Sequence, residues 1–257
     1  MADASGPVLE IQGLAKAFGA VQAIRDAALR CERGEVTALV GDNGAGKSTL
    51  IRCVTGVYRP DAGSMRFNGR EMHFTSPVEA RALGIETVYQ DLALVEDLTV
   101  WQNMYLNREL RWGIGPFRLL DRRGMIARTE QMLRALLVNM PPVRAKVRRL
   151  SGGQRQSIAI GRAASWGSAL IIMDEPTAAL GVRETHAVEE LIGRLRSGGI
   201  AQLVISHDME QILRVSDSVW VMRQGRTVGH WRTSEVDTNR IVAAITGADA
   251  AATEAAG

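Results

Sequence analysis

The chain has 257 residues, 46% of them hydrophobic and 23% charged, with 31 Lys and Arg against 28 Asp and Glu. That length supports one large domain or two small ones around a sizeable core, and the small, scattered positive excess argues against a dedicated nucleic-acid binder. No stretch approaches the ~18 consecutive apolar residues of a membrane span, and the start MADASGPV lacks the basic and apolar regions of a signal peptide, so a cytosolic protein is expected.

In chain order, Val8 to Gln12 reads as a first strand. Ala27, Leu29 and Cys31 alternate with Ala28, Arg30 and Glu32 in a second, which puts Cys31 on an inward face. Cys31 and Cys53 have no metal-ligand spacing and read as two small buried hydrophobes. Between the two strands Phe18 stands beside Gly19 at a turn, where an aromatic is either core or a surface on which a base stacks; the residues alone leave both open.

The apolar run Val36 to Val40 leads into GDNGAGKST, Gly41 to Thr49. Gly41, Gly46, Lys47 and Ser48 hold the fixed places of a phosphate-binding loop, with Asp42, Asn43, Gly44 and Ala45 between them. Leu50 to Val54 then reads as a helix closed by Gly56, which supplies the strand, loop and helix context that the pattern needs. Glycines let successive backbone N–H groups turn toward an anion, and the following helix adds its positive end. Lys47 is expected on the outer phosphates and the Ser48 hydroxyl on Mg²⁺. Lys16 and Lys146 are the other lysines of an arginine-rich chain, so a lysine at this place is not compositional.

Ser64 to Gly69 is a further strand, and Ser76, Pro77 and Glu79 mark a helix start with capping-box spacing and a stop at Gly84. Ile85 to Gln90 returns to strand. From Asp91 to about Arg149 the apolar spacing becomes helical, through DLTVWQNMYLNRELRW and through Met125, Met132, Leu133, Leu136 and Leu137, until Pro141-Pro142 ends the run. A helical insert within an α/β domain is expected. Afterwards Ala169 to Met173 and Ala201 to Ser206 read as buried parallel strands, Val188 to Arg196 as a helix, and the segments either side of Gly225 as a hairpin. Ser234 is the expected cap of a last helix reaching Thr246, and the tail from 248 to 257 lacks apolar bulk and is expected to be disordered.

Two further stretches carry chemistry. Asp174 and Glu175 end an apolar strand; beside a phosphate loop the first suits water-mediated Mg²⁺ binding and the second suits polarising a water for attack on a γ-phosphate. LSGGQ, Leu150 to Gln154, opens a helix in which Ser151 and Gln154 have capping-box spacing and Gly152 and Gly153 leave N–H groups open. This is either an ordinary capped helix or a second anion site, one that would suit a partner's nucleotide.

Together these stretches resemble the ATP-binding cassette (ABC) ATPases over about residues 8 to 247. The resemblance rests on the order of phosphate loop, Gln90 at a strand end, helical insert, LSGGQ, Asp174-Glu175 and Ser206-His207-Asp208. It implies an α/β fold: a P-loop NTPase (RecA-like) core with an N-terminal antiparallel β subdomain, from 8–90 and 150–247, and an α-helical subdomain at 91–149. It implies ATP and Mg²⁺ as cofactors. Phe18 would stack on adenine, Gly41 to Thr49 would wrap the phosphates, and Ser48, Gln90 and Asp174 would serve the metal. Glu175 would be the general base, Gln90 would touch the attacking water, and His207 would contact the γ-phosphate. Ser151 to Gln154 would close on the ATP of a second copy. His73, His186 and His230 match nothing and read as surface or packing residues.

Within that family GDNGAGKSTLI, the stretch QDLALVEDLTVWQNMYL that begins at Gln90 and a final helix ending in AAITGA resemble single-cassette ATPases of bacterial monosaccharide importers of the ribose, xylose and fructose type. That likeness implies a homodimer of cassettes on the cytoplasmic face of the membrane, bound to permease subunits that work with a periplasmic or extracellular substrate-binding protein. Leu92, Leu94, Val100, Trp101 and Tyr105 are candidates for the groove that receives the permease. Gly181 stands where the family's loop usually carries an aspartate. Three other readings are a nucleic-acid-linked cassette, which usually has a coiled-coil insertion or a second cassette, a weakly hydrolysing regulatory cassette, and a P-loop kinase or GTPase, which leaves LSGGQ unexplained.

Overall fold

The computed structural model describes residues 6–112, 119–136, 140–178 and 180–248. Strands β1 (Leu9–Phe18) and β2 (Val21–Cys31) are longer than the alternation predicts and turn into one another at Gly19. Two features hide them in the sequence. Register shifts between Ile11 and Leu14, around Gly13 at φ 60°, break the two-residue period. Beyond Leu14 no β1 residue is fully buried, so nothing demands apolar side chains there.

Then come β3 (Val36–Val40), α1 (Lys47–Val54), β4 (Ala62–Phe67), β5 (Arg70–Glu71), α2 (Pro77–Ala82) and β6 (Ile85–Val88). The segment expected as a helical insert holds α3 (Val100–Met104), a small hairpin of β7 (Arg111–Trp112) and β8 (Leu119–Leu120), and α4 (Arg122–Leu136). The chain closes with α5 (Gly152–Ala164), β9 (Leu170–Asp174), α6 (Val182–Ser197), β10 (Ala201–Ile205), α7 (Met209–Val215), β11 (Ser218–Arg223), β12 (Arg226–Arg232) and α8 (Thr238–Thr246).

All but the β7–β8 pair lie in one sheet ordered β5-β4-β1-β2-β12-β11-β3-β10-β9-β6. The part from β11 to β6 is parallel, and the part from β5 to β2 is antiparallel. They meet where β12 pairs with β2 at Arg226 and Asp26. Alternation along the central strands explains the layers. Leu39, Ile172, Leu203 and Ile205 face α1 and the antiparallel wing, against Leu50, Cys53 and Val54. Val36, Ala38, Val40, Ile171, Met173 and Val204 face the other way, against Val188, Leu191, Ile192 and Leu195 of α6. A third cluster joins Val100, Met104 and Tyr105 to Met125 and Leu133 of α4 and to Ile158 of α5.

Several local expectations are corrected. Glu79 caps through Thr75, whose N–H and hydroxyl donate to its carboxylate at 2.9 and 2.6 Å, and not through Ser76. The strand expected to reach Gln90 ends at Val88. The helix expected through DLTVWQNMYLNRELRW spans five residues, held by buried Asn103, whose amide bonds Val95 and Thr99. The last helix starts at Thr238 under Asp237, not under Ser234, which lies in a single 3₁₀ turn. Leu137 and the tail from 249 onward lie outside the described residues. Cys31 and Cys53 are both free and buried, and burial pushes their thiols up to about 12 and about 11.

Candidate functional site

The carboxyl ends of β3, β9 and β10 open on one cleft of about 650 Å³, lined by Val21 to Ala23, Asn43 to Thr49, Gln90, Asp174, Glu175, Ala178, Ile205 and His207. Buried β3 leads directly into Gly41, where φ is 148° and a Cβ would stand 2.1 Å from the Met222 carbonyl oxygen. At Gly46, φ 103°, a Cβ would stand 2.7 Å from the Ala23 carbonyl oxygen. Glycine is required at both places by conformation and by close backbone approach. Asp42 closes the loop by accepting the Ala45 N–H at 3.1 Å.

The Lys47 ammonium donates to the carbonyls of Gly41 and Asp42 at 2.5 and 3.0 Å. Burial lowers its pKa, opposed by Glu175, Asp42 and Asp174. Burial raises Asp174, reinforced by Glu175 and opposed by Lys47. Two adjacent carboxylates and one cation thus share the cleft, an arrangement that favours a further positive charge. The Ser48 hydroxyl, the Gln90 amide and the Asp174 carboxylate face it with oxygen donors, which suit a hard cation such as Mg²⁺. Among the described residues no group of three or more His, Cys, Asp or Glu side chains forms a metal cluster.

Glu175 takes φ 52°, in the left-handed region, and its N–H donates to the Ile205 carbonyl at 2.9 Å. This turns its carboxylate to Nδ1 of His207, 2.9 Å away. The hydrogen bond from His207 to Glu175, with the carboxylate's charge, raises the imidazole pKa.

Two sets of expected residues lie elsewhere. Phe18 is 43% exposed and packs edge-on against Tyr58 at 5.0 Å, outside the lining, although its cross-strand partner Val21 is in it. Ser151 to Gln154 cap α5: the Gln154 N–H donates to the Ser151 hydroxyl at 3.3 Å, and the Ser151 N–H to the Gln154 amide oxygen at 3.1 Å. They border a different concavity of about 430 Å³. There Glu184 accepts from the N–H groups of Gly181 and Gly153 at 3.2 and 3.4 Å and has a lowered pKa, with the Gly181 bond the main cause. Sequence reading passed over Glu184, although its spacing from Gly181 is that of a helix cap.

Of the five groove candidates, Val100 and Tyr105 are corrected, being buried in the insert's core, while Leu92, Leu94 and Trp101 are half-buried against the cores and keep part of their surface exposed. The concavity on that side is lined by Arg81, Glu86, Tyr89, Leu106, Arg108 and Trp166 among others. His73 is exposed, His186 sits beside Glu189 on α6, and His230 stacks on Trp220 at 4.5 Å.

A glycine loop between a buried parallel strand and a helix, with paired carboxylates ending a strand of the same sheet, defines a P-loop nucleoside triphosphatase. The family pattern described as ABC transporter matches residues 24–178. The chain is 41% identical over 239 residues to the xylose/arabinose import ATP-binding protein XylG of Sulfolobus acidocaldarius, covering 93% of this chain and 94% of that one. To the fructose import ATP-binding protein FrcA of Rhizobium meliloti it is 42% identical, covering 95% and 96%. Against the ribose import ATP-binding protein RbsA 1 of Rubrobacter xylanophilus the identity is 40%, covering 87% of this chain and 44% of that longer one. Among solved structures, an ATP-binding cassette of an ABC transporter in its ADP conformation superposes with TM-score 0.75 at 25% identity, covering 94% and 96%. The chain belongs to the ABC transporter family, and it is an ATPase of that family.

Proposed function

We propose that this chain is the ATP-hydrolysing subunit of a monosaccharide importer, and that Glu175, His207 and Gln90 carry its chemistry. The observation that carries the reading is the convergence of Glu175 and His207 at 2.9 Å beside the phosphate loop. Import of a pentose or hexose is supported by the names of the relatives above.

ATP enters with its phosphates on the N–H groups of residues 41–49 and on Lys47, which exchanges its bonds to the Gly41 and Asp42 carbonyls for phosphate oxygens. The α1 N-terminus adds its dipole. Glu175 takes a proton from a water held by Gln90 as the water oxygen bonds to the γ-phosphorus. The bond from the γ-phosphorus to the bridging oxygen breaks, leaving ADP and inorganic phosphate. His207, whose imidazole pKa is raised by its hydrogen bond to Glu175, stabilises negative charge on the γ-phosphoryl oxygens. Bound Mg²⁺ neutralises phosphate charge and would be held by Ser48, Asp174 and Gln90.

Ser151 to Gln154 lie outside this cleft, which supports a second role: closing on the ATP of another copy in a homodimer, so that each site is built from two chains. Phe18 lies outside the lining but pairs across β1–β2 with Val21, which is in it, and would stack on the adenine after leaving Tyr58. Closure and reopening would drive permease subunits docked against the concavity beside Arg108 and Trp166, with a substrate-binding protein on the far side. Among the described residues no helix is long and apolar enough to cross a membrane. A peripheral place on the cytoplasmic face is supported by the import ATP-binding names of the relatives.

The test is Glu175→Gln beside wild type with Mg·ATP. Turnover should fall by about 10²–10⁴-fold, the range for loss of a general base, while ATP binding persists and a dimer accumulates. Wild-type turnover in the variant overturns the assignment of Glu175.

A further inference from the structure

The His207 side chain is 80% exposed, so packing does not hold it where it meets Glu175. Its position has to come from the backbone on either side, and both neighbours are tied down. The Ser206 hydroxyl accepts the Asp208 N–H at 3.1 Å, and the Asp208 carboxylate accepts the Gln211 N–H at 3.0 Å. Gln211, on α7, is 1% exposed, and its amide faces three elements at once. Its oxygen accepts from the Thr177 hydroxyl at 2.8 Å and, at the long limit of 3.5 Å, from the Ser206 hydroxyl. Its nitrogen donates to Glu189 of α6 at 3.3 Å.

The orientation of that amide is dictated from behind. Arg214 donates twice to Glu189, at 2.6 and 3.2 Å. Burial acts to raise the Glu189 pKa, but the bonds from Arg214 and Gln211 prevail and keep it lowered. An ionised carboxylate only accepts, so the amide nitrogen must face Glu189 and its oxygen must face Thr177. Thr177 follows Glu175 by two residues, in the loop that leads to Gly181.

We propose that Gln211 is a positioning residue for hydrolysis: one buried amide pins the Glu175–Ala178 turn and the His207 turn to α6, and so sets the approach of His207 to Glu175. The inference rests on the catalytic reading of Glu175 and His207 given above. A buried junction of this kind gives all or nothing, because an apolar replacement leaves the Thr177 hydroxyl and part of Glu189 unmatched. Displacing catalytic groups by even 1 Å is enough to slow a reaction severely.

The experiment compares Gln211→Met, which keeps length and removes both hydrogen-bonding atoms, with wild type and Glu175→Gln in the full chain. Single-turnover hydrolysis, Mg·ATP affinity and melting temperature are measured for each. Gln211→Met should hydrolyse about tenfold more slowly or worse, with nucleotide affinity unchanged, since the residue touches no part of the cleft. Unchanged hydrolysis overturns the inference, and so does a parallel fall of rate, affinity and melting temperature, which marks a merely structural role. If Gln211→Met does not fold, Thr177→Val removes the loop's bond alone and should slow hydrolysis at unchanged affinity; wild-type rates there overturn the proposal. Wild-type rates in Glu175→Gln would instead sink the catalytic reading itself.

Discussion

At the scale of single residues, Glu175 is held in a conformation that an L-residue with a long side chain rarely adopts, and two bonds keep it there: its N–H to Ile205 and its carboxylate to His207. The second bond titrates. Glu175 is the main cause of the raised imidazole pKa, with Asp208 adding to it and Lys47 opposing it. A histidine whose pKa is raised in the folded state stabilises that state fully below its unfolded pKa, and the stabilisation fades as pH rises through the raised value. An NMR titration of the His207 ring should therefore give a pKa above the ordinary histidine value, falling back toward it in Glu175→Gln. A pKa that the substitution leaves in place would rule the pair out. The phosphate loop and the Asp174–Glu175 pair were legible in the sequence because both have rigid local spacing, whereas Gln90 and His207 came only with the family resemblance, and Val21 to Ala23 carry no motif at all. Gln211 was not legible, because its meaning lies in which atoms it meets across the fold; Glu184 carries a local cap spacing from Gly181, but its bond to Gly153 comes only with the fold.

Among the elements, helix starts show how far local reading reaches. Ser151 and Gln154 form the reciprocal cap that their spacing implies. For α8 the sequence offers two good capping residues, Ser234 and Asp237, and only the path of the backbone chooses between them. It makes a single 3₁₀ turn at Thr233–Glu235, and the Asp237 carboxylate then accepts the Arg240 N–H at 2.8 Å. Asp237→Ala should cost about 1 kcal/mol in urea denaturation, and Ser234→Ala much less; equal effects would contradict the cap. The β1–β2 hairpin was half legible for a comparable reason. Alternation reports burial, and where a strand stops burying side chains it falls silent even though the ladder continues.

Across the whole molecule, arginines fasten the segment expected as an insert to β6 and to the helices α5 and α6. Arg108 pairs with Glu86 of β6 at 2.6 Å and lies 4.9 Å from the Trp166 ring centre. Arg162 of α5 donates to the carbonyls of Ala93 and Leu92 at 2.9 and 3.0 Å, and Arg194 of α6 to the Leu136 carbonyl at 3.0 Å. Arg108→Ala removes an ion pair and a cation–π contact that are only partly exposed, and should lower unfolding free energy by about 1–2 kcal/mol. Chemical denaturation checks this, and a loss within error would show that the pair is idle. No pattern within the insert announced these fastenings, since an arginine reads the same whether it meets solvent or a carbonyl.

The phosphate loop itself leans on the far end of the chain. Gly41 lies against the Met222 carbonyl, and the Gly225 N–H donates to the Ala45 carbonyl at 3.0 Å. A ribosome has therefore to emit the β11–β12 hairpin before the loop near the N-terminus has its back wall. During synthesis the nucleotide site is finished late, although its sequence motif appears early, and a nascent chain arrested before Ser218 would carry every letter of the motif without the shape that binds ATP.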